Sequence, residues 1–262
     1  MIKKLLCIFI GAVMLTTCFA GCNNNDAETY FSCAVGEMPR YYDPQSASSD
    51  GERIVAFNTF DGLFKQDENN TPQKCAVTDY KISADGLTYT FYLRTDMKYY
   101  ISDEVKDFLE EKKAAVEGLV TAEDFVFALR RAVSPETEAV AFPLLSNIVN
   151  AEEIHGAKMS AEALGVRAVD RYTLEIRLKQ KQNDFLYVLT QPVTFPCDEE
   201  FFNLTDGRYG LDEQYIISNG GFYLSDIKDG ESVRFSKNPE YTGDFKANPT
   251  SVRLYVNTNE IS

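Results

Sequence analysis

A chain of 262 residues with 40 acidic and 26 basic side chains carries a formal charge of −14, which repels nucleic acid and anionic headgroups and favours cationic ligands. The acidic residues are scattered, as on a solvated surface. A single histidine, His155, and the lack of any CxxC pair exclude zinc sites of the usual kind, and no cofactor is expected.

The chain opens with Lys3 and Lys4 followed by an apolar run from Leu5 to Phe19. That run is too short to span a bilayer, which takes roughly 20 apolar residues. It ends in Phe19-Ala20-Gly21-Cys22, two small residues before a cysteine whose thiol can receive diacylglycerol. Residues 1–21 therefore read as a lipoprotein signal peptide, Cys22 as the lipid-attachment site, and residues 22–29, with Asn23-Asn24-Asn25-Asp26, as a polar tether. An ordinary secretory signal or an N-terminal membrane helix is the alternative, though no second apolar stretch of comparable length follows. Without Lys3 and Lys4 the charge becomes −16. Beyond Cys22, Cys33, Cys75 and Cys197 remain. An odd set is not a disulfide framework, and it leaves one bridge or three plain buried thiols open.

From Tyr30 onward short alternating strands are interspersed with a few helices, a mixed α/β pattern. Residues 80–83 and 87–94 flank Ala84-Asp85-Gly86, where Gly accepts the positive φ of a hairpin turn, and Tyr89, Phe91 and Leu93 share one face of the second strand. Between Ser102 and Gly118 a charged segment surrounds an apolar line of Val105, Phe108, Leu109 and Val116 and predicts an exposed amphipathic helix. Thr121-Ala122-Glu123-Asp124 has the form of a capping box. The helix it opens runs to about Val133, with Phe125, Leu129 and Val133 inward and Arg130 and Arg131 near its C-terminus, where the dipole favours cations. Ser134-Pro135 ends it. Later strands are expected at 172–179, with Leu174, Ile176 and Leu178 on one face, at 222–227 paired through Lys228-Asp229-Gly230 to 232–236, and at 252–257.

No pattern of catalytic residues accompanies this. There is no G-x-S-x-G elbow, no G-x-x-x-x-G-K-[ST] loop and no H-E-x-x-H helix. His155 has no paired Ser or Cys pattern and reads as a solvent-facing residue at a helix end, so an enzyme is not expected.

The segments Phe60-Asp61-Gly62-Leu63-Phe64, Asp85 to Arg94, Val120 to Ala128, Leu164 to Asp170 leading into Tyr172 to Ile176, Ser218-Asn219-Gly220 and Lys237-Asn238-Pro239-Glu240-Tyr241 resemble, in order, successive motifs of bacterial extracellular solute-binding protein family 5. The spacing is most similar to its oligopeptide-binding branch, the lipoproteins of peptide ABC importers. The resemblance implies a type II periplasmic-binding-protein-like fold with residues 30–60 and 197–262 in a first lobe and 61–196 in a second. It also implies that the third lobe, which closes over the ligand and neutralises a peptide's amino terminus, would lie beyond Ser262, so that the chain is incomplete. Peptide in this family lies extended between lobes and pairs with strand-like backbone. On that resemblance Ser48, Ser49 and Asp50 occupy the backbone-pairing position, Phe142 falls near an aromatic that lines the cleft, and Asn219 and Gly220 sit where the chain returns to the hinge side; each is otherwise a plain turn or core residue. The segment 102–118 is an insertion relative to the family pattern.

The implied protein is a monomeric, lipid-anchored, extracytoplasmic receptor of short peptides that serves ABC permease subunits, in the periplasm or at the cell surface. The alternative is a surface lipoprotein that binds a protein or signal peptide without transport, with the extra helix at 104–117 as its distinguishing feature.

Overall fold

The computed structural model describes residues 29–244 and 249–256. Two four-stranded sheets organise it. The first contains β1 (Tyr30–Val35), β8 (Phe222–Lys228), β9 (Ser232–Lys237) and β10 (Ser251–Val256) in the order β1-β10-β9-β8. β1 runs parallel to β10 and the other pairs are antiparallel. The second contains β4 (Val77–Ile82), β5 (Thr88–Leu93), β6 (Val166–Asp170) and β7 (Thr173–Arg177), antiparallel in the order β4-β5-β7-β6. A small hairpin of β2 (Phe64–Gln66) and β3 (Pro72–Lys74) forms its own two-stranded sheet and packs Phe64 against Tyr80 and Phe91 of the second sheet. The cysteine thiols at 33, 75 and 197 are free, and Cys22 lies outside the described residues.

Local chemistry explains most of these elements. The β4–β5 turn closes with Gly86 at φ +73°, while the Asp85 carboxylate accepts from the Leu87 amide at 3.0 Å. Gly230, at φ +69°, turns β8 into β9 in the same way. Period-two alternation buries Tyr89, Phe91 and Leu93 of β5 and Leu174 and Ile176 of β7 on one face. Helix α3 (Ala122–Val133) covers that face against β6 and β7, with Phe125, Leu129 and Val133 fully buried. In its capping box the Asp124 carboxylate accepts from the Thr121 amide at 2.6 Å and from the Thr121 hydroxyl at 3.0 Å.

Two expectations change. The amphipathic helix α2 spans only Asp103–Lys112, because Lys113 turns left-handed at φ +53° and Val116 falls outside it. Its inner face docks as expected: the Phe108 ring meets Phe201 and Tyr215 edge to face at centroid distances of 6.0 and 5.3 Å. Arg131 does more than complement the α3 dipole. Its side chain is 11% exposed and paired with the carboxylate of Asp43.

Helix α1 (Asp50–Thr59), not among the expected elements, packs on β8. Its signal was present as Ser49-Asp50-Gly51-Glu52, the S-x-x-E form of a capping box.

Candidate functional site

The segment leading into α1 is held by Arg131 and by the Phe195 carbonyl. Arg131 Nη2 donates to Asp43 Oδ2 at 2.5 Å, and Nη1 donates to Gln45 Oε1 at 2.8 Å. Gln45 Nε2 in turn donates to the Phe195 carbonyl at 2.9 Å. The guanidinium lies over the Phe202 ring, 4.1 Å from its centroid. Burial alone would lower its pKa, but the Asp43 charge outweighs that and keeps it raised.

From this anchor the chain reaches Ser48, Ser49 and Asp50, where the expected strand-like backbone is replaced by a helix cap. Ser49 is the N-cap of α1. The buried Glu52 carboxylate accepts from the amides of Ser48 and Ser49 at 2.8 and 3.0 Å, from the Ser48 hydroxyl at 3.0 Å and from the Arg40 amide at 3.3 Å. Burial would raise the pKa of Glu52, yet these donors hold it below the ordinary value. The two amides that would have paired with a guest strand are therefore already used. Ser48 and Asp50 remain exposed, and Ser49 is half-buried.

Ser48 forms one wall of a recess of about 250 Å³, together with Ala47 and Arg53. Val140, Ala141 and Leu144 form another wall, and Gln191, Pro192 and Val193 complete it. Three stretches far apart in sequence thus meet at one opening. Its volume suits a side chain rather than a whole ligand, since ligand pockets run from roughly 300 to 1,000 Å³. Val140 is 68% exposed and Leu144 39%, high for aliphatic residues facing a concavity.

Phe142 is close in sequence but turned elsewhere. Its ring stacks on the His155 imidazole, centroids 3.7 Å apart and planes 10° apart, while His155 Nδ1 lies 3.3 Å from the Val133 carbonyl oxygen. Ala141 and Leu144, rather than Phe142, reach the recess.

Asn219 and Gly220 are buried away from it. Asn219 Oδ1 accepts from the Asp61 amide at 3.1 Å, and its Nδ2 donates to the Asp61 carbonyl at 2.9 Å. The Gly220 amide donates to the Thr59 carbonyl at 2.9 Å. These two residues clamp the end of α1 to the strand that follows them. The Asp61 carboxylate, fully buried, accepts from Lys65 Nζ at 2.6 Å and from the Tyr241 hydroxyl at 2.5 Å. Burial and that carboxylate raise the Tyr241 pKa well above the usual phenol range.

A larger recess of about 730 Å³ lies between α1 and the first sheet, lined by apolar side chains including Phe31, Ile54, Phe57, Phe222 and Leu254. Asp244 and Pro249 also line it. Among the described residues there is no cluster of side chains able to hold a metal ion, and no helix is long and apolar enough to cross a membrane.

Residues 71–261 match the family model for bacterial extracellular solute-binding proteins, family 5 (Middle). The chain is 29% identical over 239 residues to the oligopeptide-binding protein AmiA of Streptococcus pneumoniae, covering 89% of this chain and 34% of that protein. Among solved structures it is similar to Listeria monocytogenes OppA bound to peptide, with a TM-score of 0.77, 27% identity, and coverage of 88% of this chain and 43% of the other. It is similarly close to the substrate-binding domain of an oligopeptide ABC transporter from Bacillus anthracis, with a TM-score of 0.78, 29% identity, and coverage of 88% and 42%. The chain thus spans about a third of the length of the curated relatives it matches, and its mixed α/β architecture is that of the type II periplasmic binding proteins.

Proposed function

Since the chain belongs to the bacterial extracellular solute-binding proteins of family 5, we propose that it is the peptide-binding component of an ABC importer, a binding protein rather than an enzyme. The observation that carries this reading is the recess where Ser48 and Arg53 at the head of α1 face Val140, Ala141 and Leu144. It offers an apolar wall and an exposed cation to an extended guest, and it lies on a fold shared with an OppA that holds a peptide.

In this reading residues 30–60 and 197–262 form one lobe and 61–196 a second, and the guest lies along their junction. Ser48, Ser49 and Asp50 contribute through side chains and the outward face of the cap, because two of their amides serve Glu52. Phe142 supports the recess wall through its stack on His155. Asn219 and Gly220 fix the path of the chain beside it. The export signal would direct the chain across the membrane and the acylated Cys22 would hold it beside its permease on the outer side of the cell membrane; both lie outside the described residues. Two acyl chains are enough for durable anchoring.

Titration calorimetry of the purified mature chain, from Cys22 onward, against a library of short peptides tests the binding step. Saturable one-to-one heat is expected. Failure of every peptide to bind would reject the assignment. Metabolic labelling with a tritiated fatty acid tests the anchor, since Cys22→Ala removes the label if Cys22 carries it.

A further inference from the structure

Among the residues lining the recess, Arg53 is the one that carries a charge. Its ion partner is Asp50, one turn away on the same helix. That pair is open to water, with 48% of the arginine side chain and 88% of the aspartate side chain exposed. Exposed pairs of this kind contribute little. Arg53 lines the recess and Asp50 does not, so the arginine borders the concavity while its ion partner lies outside it.

The opposite wall is aliphatic. Val140 and Leu144 expose apolar surface to the same space, with Val193 and Pro192 buried behind. A guanidinium carries five donors in a planar fork that fits a carboxylate with two parallel bonds. A group that satisfies both walls has a carboxylate at one end and apolar atoms beside it.

The geometry points to Arg53 as a specificity residue that selects peptides placing a carboxylate in this recess, against Val140 and Leu144. The carboxylate belongs either to an aspartate or glutamate side chain or to the peptide's C-terminus. This rests on the reading of the protein as a peptide receptor and names the class of peptide it takes. The preference runs against the overall charge of −14, which favours cationic guests, so an acidic preference reports on the local arginine rather than on the field of the whole protein.

The test uses the mature chain from Cys22 onward and peptides of one length and sequence that carry Glu, Gln or Lys at each position in turn, every member made both as free acid and as C-terminal amide. Glu over Gln identifies a side-chain carboxylate, and free acid over amide identifies the C-terminus. The expected preference for the carboxylate form is at least about tenfold in Kd, and it shrinks as sodium chloride is raised. Arg53→Gln should bring the affinity for the carboxylate peptide down to that for its Gln or amide counterpart, and Arg53→Lys should restore part of the difference. Because Arg53 is exposed, both variants should unfold at the wild-type urea midpoint, which separates loss of selectivity from loss of fold. Peptides that bind with no charge preference, or a preference that survives in Arg53→Gln, overturn this inference and leave the receptor reading standing. Absence of binding by every peptide overturns both.

Discussion

Arg131 on α3 and Asp43 ahead of α1 form a buried ion pair across 88 residues of sequence, with Nη2 and Oδ2 2.5 Å apart. The pair is among the contacts that join the two halves of the described chain, because Asp43 precedes the capping turn of α1 while Arg131 rides on the helix that covers the second sheet. Gln45, the Cys197 sulfur and the Phe202 ring also contact the guanidinium. A buried pair is weak grounds for net stability, but removing one partner strands the other charge in a site with few alternatives.

Arg131→Met and Asp43→Asn should therefore each lose roughly 3–5 kcal/mol of unfolding free energy, read from urea denaturation. The double variant should lose clearly less than the sum of the two. Additive losses would show that the two side chains act independently.

Glu52 is the shared acceptor for three backbone amides around the candidate site. Glu52→Ala leaves those donors without their partner and removes half of a capping box, at a cost of about 2–3 kcal/mol. Hydrogen exchange at the Ser48 and Ser49 amides should accelerate more than exchange in β5. Uniform acceleration would place the effect in the whole fold instead.

Two buried carboxylates give opposite pH signatures. Asp124 is moved from an ordinary 3.8 to about 7, first by burial and, more weakly, by the charge of Asp198, while its bonds from Thr121 pull the other way. Its native form holds a proton that the unfolded chain releases, so its contribution to stability is full below the unfolded value and declines as pH rises from about 4 to about 7. The Asp124→Asn variant should show a shallower decline over this range, by up to about 1.4 kcal/mol per pH unit. Glu52, held below its ordinary value, contributes in the reverse sense, stabilising above its unfolded pKa and losing that contribution as acid protonates it. Urea midpoints measured from pH 3 to 8 check both, and identical slopes for Asp124→Asn and wild type would contradict the assignment to Asp124.

Gly220 has no space for a side chain. A Cβ there would fall 2.6 Å from the Thr59 carbonyl carbon and 2.7 Å from the Phe60 nitrogen, both backbone atoms that cannot move aside. Gly220→Ala should lower the melting temperature by roughly 2–12 °C. Gly36→Ala, where nothing lies within 4 Å, should leave it unchanged. Equal behaviour of the two would mean that the close approach at Gly220 relaxes at no cost.

What the amino-acid order determined by itself is what neighbours within about four residues decide. The alternation of β5 and β7, the left-handed glycines at 86 and 230, the Thr121–Asp124 cap and the 125/129/133 stripe of α3 all follow from local periodicity and turn chemistry, and each stands in the structure as expected. The contiguous family motifs were legible for the same reason. The cap of α1 was equally local, in Ser49 and Glu52, although the resemblance assigned Ser48, Ser49 and Asp50 to backbone pairing with a guest.

Tertiary structure alone decided which distant residues meet. Asn219 reaches Asp61 across 158 residues, and Arg131 reaches Asp43 across 88. The recess draws on positions 48, 141 and 192. Such contacts depend on how two sheets and their helices pack, and many residue pairs could satisfy the same charge or size requirement, so no spacing rule selects among them. Phe142 shows the consequence: its sequence position brings it beside the site, while packing turns its ring onto His155 and leaves Ala141 and Leu144 to face the opening.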